Sequence, residues 1–105
     1  MTFQVVRAAA FEQDLDDFAA YTTAYSGEFS REQFTRLNHV LTVELASAPA
    51  MWGLFFITGA PYHAYLFRVG RRTSYWIVYS IDEAAKRVDL LRFWIANREP
   101  QAFEL

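Results

Sequence analysis

Between Ala8 and Tyr25, Phe11, Leu15, Phe18 and Tyr21 or Thr22 recur three and four positions apart, the spacing of one face of a helix. The preceding Phe3–Arg7 is a short strand candidate, and Gly27 is a plausible stop for the helix. A second helix is expected to start at Ser30. Ser30 with Gln33 fits a capping box, and Phe29 with Phe34 fits the hydrophobic staple around it. Its buried stripe reads Phe34, Leu37, Leu41, Leu45 and Ala48, and Pro49 ends it. Beyond Pro49 the period changes from helical to alternating.

Met51–Ile57 is apolar on both faces, and Thr58–Pro61 reads as a turn. The strand Tyr62–Val69 puts Tyr65, Phe67 and Val69 on one face and Ala64, Leu66 and Arg68 on the other. Gly70-Arg71-Arg72 makes a tight hairpin into the strand Thr73–Ile81, where Tyr75, Ile77 and Tyr79 share a face. Asp82–Ala85 turns the chain into a last strand, Lys86–Ile95. Asn97–Pro100 breaks that strand, and residues 101–105 are a short tail. The expected fold is α+β: an N-terminal strand, two antiparallel helices, then a largely antiparallel sheet of about four further strands. Residues 1–105 are read as one domain, because this length has no room for two cores.

Composition adds a surplus of flat apolar side chains. Hydrophobic residues make up 53% of the chain and 19 residues are aromatic, more than a small domain can bury. An apolar patch that meets a partner is therefore expected. There is no cysteine, which excludes disulfides, thiolate catalysis and cysteine-ligated zinc. A reducing cytoplasm is the expected location, and neither a membrane span nor a secretion leader is evident. No phosphate loop, metal cluster or nucleophile–base spacing stands out, so no cofactor and no metal are expected.

Charge sharpens the picture. Residues 1–52 carry three arginines against seven acids, and residues 53–105 carry six arginines and one lysine against five acids. Arginine grips phosphate and carboxylate with a flat fork, so the C-terminal half is the candidate recognition half. The net charge of −2 argues against a general nucleic-acid binder. The acids Glu12, Asp14, Asp16 and Asp17 read as a solvated helix face, and His39 as a surface or half-buried residue rather than a ligand. Arg68 and Arg92 also have a plain reading, as sheet-surface residues paired with acids such as Asp89 and Glu83. Tyr75 and Tyr79 have one as core residues whose hydroxyls cap backbone groups.

The order of elements, with Tyr65-Leu-Phe-Arg68-Val-Gly70, Tyr75-Trp-Ile-Val-Tyr79-Ser-Ile-Asp82, Leu91-Arg92-Phe93-Trp94 and Asn97-Arg98, resembles the RelE/ParE superfamily, the toxin halves of bacterial type II toxin–antitoxin pairs. Val6-Arg-Ala-Ala-Ala-Phe11 fits the same pattern. The resemblance implies a toxin that arrests growth and is neutralised by a cognate antitoxin, as a dimer or a toxin–antitoxin heterocomplex. In the RelE branch it implies a metal-independent endoribonuclease, an mRNA interferase that cuts mRNA on the ribosome and inhibits translation. A 2′-hydroxyl then attacks the neighbouring phosphate, which needs a base and nearby cations. Arg68, Arg72, Tyr75 and Arg98 are the catalytic candidates, with Arg71, Arg92 and His63 as substrate-binding candidates. Trp76, Asn97 and Phe103 stand where RelE-like relatives often carry arginine, histidine and tyrosine. The ParE branch, which poisons DNA gyrase, tolerates those residues. A catalytically inactive toxin-like interaction module is the alternative.

Overall fold

The computed structural model describes residues 2–57, 59–71 and 73–96. Five strands form one sheet in the order β1-β5-β4-β3-β2, where β1 is Gln4–Arg7, β2 Leu54–Ile57, β3 Ala60–Val69, β4 Thr73–Asp82 and β5 Arg87–Ile95. Strands β2 to β5 form an antiparallel meander, while β1 lies parallel to β5 with Gln4 beside Arg87 and Arg7 beside Leu90. Helices α1 (Ala9–Thr23) and α2 (Gly27–His39) connect β1 to the rest. The α+β architecture and its element order are as the sequence predicts.

The helical stripe is the core. Phe11, Leu15, Phe18 and Thr22 are the buried residues of α1, with Leu37 from α2 and Leu41 and Leu45 just beyond it. They pack on Phe67 and Val69 of β3, Tyr75, Ile77 and Tyr79 of β4, and Val88, Leu90 and Phe93 of β5. On β5 the buried positions shift from even to odd because a bulge opposite Val78/Tyr79 leaves Leu91 as the extra residue. The opposite sheet face carries Phe55 against Trp76 at 5.8 Å and the Arg92 guanidinium 4.9 Å from the Trp94 ring centre.

Two helix boundaries differ from the sequence reading. Helix α2 starts at Gly27, not Ser30, because Ser26 is the cap and its hydroxyl accepts the Phe29 amide at 2.9 Å. Gly27 therefore opens α2 instead of closing α1, and Phe29 lies inside the helix. Ser30 and Gln33 have other work: the Thr22 hydroxyl donates to Ser30 at 2.9 Å, and buried Gln33 accepts from Arg36 at 2.5 Å. After His39 the helix widens into a π-helical segment, Val40–Glu44, and closes with the turn Leu45–Ser47 before Pro49. Leu37, Leu41 and Leu45 explain the widening. Two successive four-residue steps of an ideal helix overshoot by about 80° at 100° per residue, and a wider turn returns Leu45 to the core face. The strand expected from Met51 begins at Leu54, since Pro49–Met51 forms a 3-10 turn. Among the described residues, no helix is long and apolar enough to cross a membrane.

Tyr79 is fully buried, and its hydroxyl donates to the Pro49 carbonyl at 2.5 Å. Burial raises the pKa of both Tyr79 and Tyr75 above the ordinary phenol value. The folded chain therefore keeps these protons where the unfolded chain gives them up. Their contribution is complete below about pH 10 and is lost as pH rises beyond it. Urea titrations should show a flat stability through neutral pH and a steep fall above about pH 10. The variant Tyr79→Phe should be about 1 kcal/mol weaker at neutral pH yet decline less steeply in alkali. Equal alkaline slopes for the two proteins would contradict this assignment.

Candidate functional site

The β2–β3 pairing stops at Leu54 opposite His63, and the last bond on that side runs from the Ala64 amide to the Gly53 carbonyl at 3.0 Å. Beyond Ala64 the outer edge of β3 faces helix α2 and the π-helical segment across a groove of about 690 Å³. Trp52 packs edge-on against Tyr65, with ring centres 4.9 Å apart.

Arg36 of α2 organises this groove. One arm donates to Gln33, another donates to the Arg68 carbonyl at 3.0 Å, and the guanidinium carbon lies 4.9 Å from the centre of the Phe67 ring. Arg68 is exposed, and His39, also exposed, lines the same groove. Glu44 is the acid among the lining residues, and it accepts from the Tyr65 hydroxyl at 3.4 Å. Burial, then the Glu44 charge beside it, raises the Tyr65 hydroxyl pKa, so Tyr65 stays protonated and acts as a donor. The arrangement offers two guanidinium groups and a strand edge.

The described sequence candidates are spread over the sheet and the β3–β4 hairpin. Arg68 stands at the end of β3. Arg71 is exposed on the hairpin that Gly70 turns with a φ of +68°. Arg72 and Arg98, with Asn97 and Phe103, lie outside the described residues. Tyr75 is turned into the core, stacked on Phe93 at 4.7 Å and edge-on to Phe18 at 5.0 Å. His63 stacks on Tyr79 at 5.5 Å, and its Nδ1 lies 3.0 Å from the Trp52 carbonyl. Arg92 is gripped by Asp14: its Nε donates to one carboxylate oxygen at 2.8 Å and its Nη2 to the other at 3.1 Å. That bond holds the Arg92 pKa above its usual value.

Two readings need correction. Asp14 is no solvated helix acid: its side chain is 12% exposed, and it also accepts the Phe93 amide at 2.9 Å. Asp89, offered as a partner for Arg92, holds Arg87 instead at 2.9 Å, and Glu83 holds Lys86 at 3.3 Å. Sequence reasoning missed Arg36 altogether. Its place in the last turn of α2, one residue before the core Leu37, was the available signal. Among the described residues, no three His, Cys, Asp or Glu side chains gather to hold a metal ion.

The surplus of apolar side chains leaves several large ones exposed. Met51, Leu54 and Phe56 are 78%, 55% and 60% exposed at and just before β2, the edge strand. No significant match is found among curated proteins. A family model described as ParE toxin of type II toxin-antitoxin system, parDE, matches residues 5–100, from β1 through the whole sheet. The match spans nearly all of the sequence, and the strand–helix–helix–meander order agrees with the resemblance read from the motifs. This chain belongs to the ParE toxin family of type II toxin–antitoxin systems.

Proposed function

We propose that this toxin arrests bacterial growth by poisoning DNA gyrase in the cytoplasm, without hydrolysing nucleic acid, until a cognate antitoxin binds it. The match to the ParE toxin model over residues 5–100 carries the reading. The site geometry supports it. Ribonuclease chemistry needs a base beside the cations that hold the phosphate. Here Tyr75 is buried and held protonated, and His63 is stacked on Tyr79, whereas Arg68 and Arg71 stand exposed on β3 and its hairpin. Arg68 and Arg71, together with Arg72 and Arg98, supply contacts to the target as binding rather than catalytic groups.

Induced expression in a bacterial host, with pulse labelling of DNA and protein synthesis, tests this. Growth should stop, with DNA synthesis falling first, and co-expression of the antitoxin should restore it. Protein synthesis falling first would replace gyrase with the ribosome and revive the mRNA interferase reading. Normal growth with soluble toxin present would leave the interaction-module alternative.

A further inference from the structure

Strand β2 is an edge of the sheet, and its register with β3 fixes where its main-chain groups point. The Ala64 amide donates to the Gly53 carbonyl at 3.0 Å, so Gly53 and Ala64 form a hydrogen-bonded pair. Along an antiparallel ladder such pairs alternate with non-bonded ones. Phe55 opposite Tyr62 and Ile57 opposite Ala60 therefore bond inward, while Leu54 opposite His63 and Phe56 opposite Pro61 do not. Pro61 agrees with this, since it has no amide to give. The amides and carbonyls of Leu54 and Phe56 point away from the sheet, and among the described residues no strand lies beyond them. Natural edge strands are commonly blunted by charge. This one is not: between Glu44 and Arg68 the chain has no aspartate, glutamate, lysine or arginine. Met51, Leu54 and Phe56 are exposed at or just before the same strand.

We propose that β2 is a dimer edge: two copies of this chain pair antiparallel along it, about a two-fold axis through Phe55, into one continuous sheet. The register follows from the outward groups. With Phe55 on the axis, Leu54 of each copy lies opposite Phe56 of the other, and both positions point outward. Each of these two pairs exchanges both main-chain bonds. An axis at Leu54 or at Phe56 leaves a single such pair within β2. The side chains follow the same register. Leu54 meets Phe56 of the second copy on the face that carries His63, and the two Phe55 rings meet on the other face, each beside its own Trp76. Charge selects a second copy as the occupant. A two-fold axis sets each group near it against its own kind, so a charge on β2 would repel itself. β2 and its flanks carry none, and each copy brings the uncharged apolar strand that the other's edge accepts. The contact buries on the order of 1,000 Å² over both copies, the lower end for a specific interface, which makes the dimer reversible. Arg68 lies on β3 beyond the β2 pairing and stays outside the interface. The proposal concerns self-association and does not rest on the identity of the toxin's target.

The test follows the full-length toxin alone by sedimentation equilibrium, from the micromolar to the submillimolar range, with amide exchange read residue by residue. The mass should rise from one chain to two and stop there. The Leu54 and Phe56 amides should slow as the dimer fills, while the inward Phe55 amide is slow throughout. Phe56→Lys and Leu54→Lys should each weaken the dimer about tenfold or more with the thermal midpoint of the monomer unchanged, because both side chains are largely exposed. Tyr25→Lys, at an exposed aromatic beside the β3–β4 hairpin, should leave the dimer intact. A one-chain mass at every concentration overturns the proposal. A dimer whose Leu54 and Phe56 amides exchange at the monomer rate, and which both lysine variants leave intact, overturns it by placing the contact elsewhere. A mass that climbs past two chains overturns the two-fold pairing in favour of an open array. A monomer whose Leu54 and Phe56 amides slow only when antitoxin is added overturns self-pairing and gives the edge to that partner.

Discussion

Replacing Phe18 with alanine should remove about 3–5 kcal/mol of stability, the largest loss expected from any single truncation in this core. Phe18 is 1% exposed, and its ring meets Phe34 of α2 at 5.3 Å, Phe67 of β3 at 6.5 Å, Tyr75 of β4 at 5.0 Å and Phe93 of β5 at 5.1 Å. Three of these contacts are edge-to-face, a geometry that adds to plain area burial. Alanine leaves a void walled by rigid rings from four elements, which cannot close without shifting a strand. Small domains hold about 5–15 kcal/mol in total, so this variant should be largely unfolded or recovered in low yield. Phe18→Leu refills most of the volume and should cost no more than about 1.5 kcal/mol. Urea midpoints for the two variants check the ordering. Equal midpoints would mean that the aromatic cluster is not the centre of the core.

The second large effect belongs to Asp14. β1 ends at Arg7, so among the described residues no strand lies beside β5 beyond Leu90 on that side. Asp14 takes over the edge, accepting the Phe93 amide and the Nε and Nη2 of Arg92. Asp14→Ala strands a half-buried guanidinium and an unpaired strand amide, and should cost about 2–3 kcal/mol. Asp14→Asn keeps an acceptor for the amide and should lose roughly half of that. The double variant Asp14→Ala/Arg92→Ala should be less destabilised than the two single losses added together. Strict additivity in that cycle would show that the pair is a surface contact with no structural role.

Strand faces and the α1 stripe were legible because each follows from a local period: Phe11, Leu15 and Phe18 along a helix, Tyr65, Phe67 and Val69 along a strand. The start of α2 was misread because the chain offers two serines with capping chemistry, and only the packing of Ser30 against Thr22 decides for Ser26. The β5 bulge escaped notice because it arises from the pairing with β4, not from β5's own residues. The candidate site was least legible. Motifs directed attention to arginines in strands, but the groove is made by a helix residue, Arg36, and by backbone groups of β3 that no side-chain pattern reveals. Tyr75 looked chemical because it is a tyrosine between arginines. Its stacking on Phe93 is a long-range fact.

Among the described residues, the parallel pairing of β1 with β5 joins the first strand made to the last. While the chain is being synthesised, α1 and α2 can coil and β3 can meet β4, but β1 has no bonding partner until Arg87–Leu90 has been added. Closing so long a loop is slow and is rewarded only at the end. A nascent toxin therefore remains incomplete through most of its own translation.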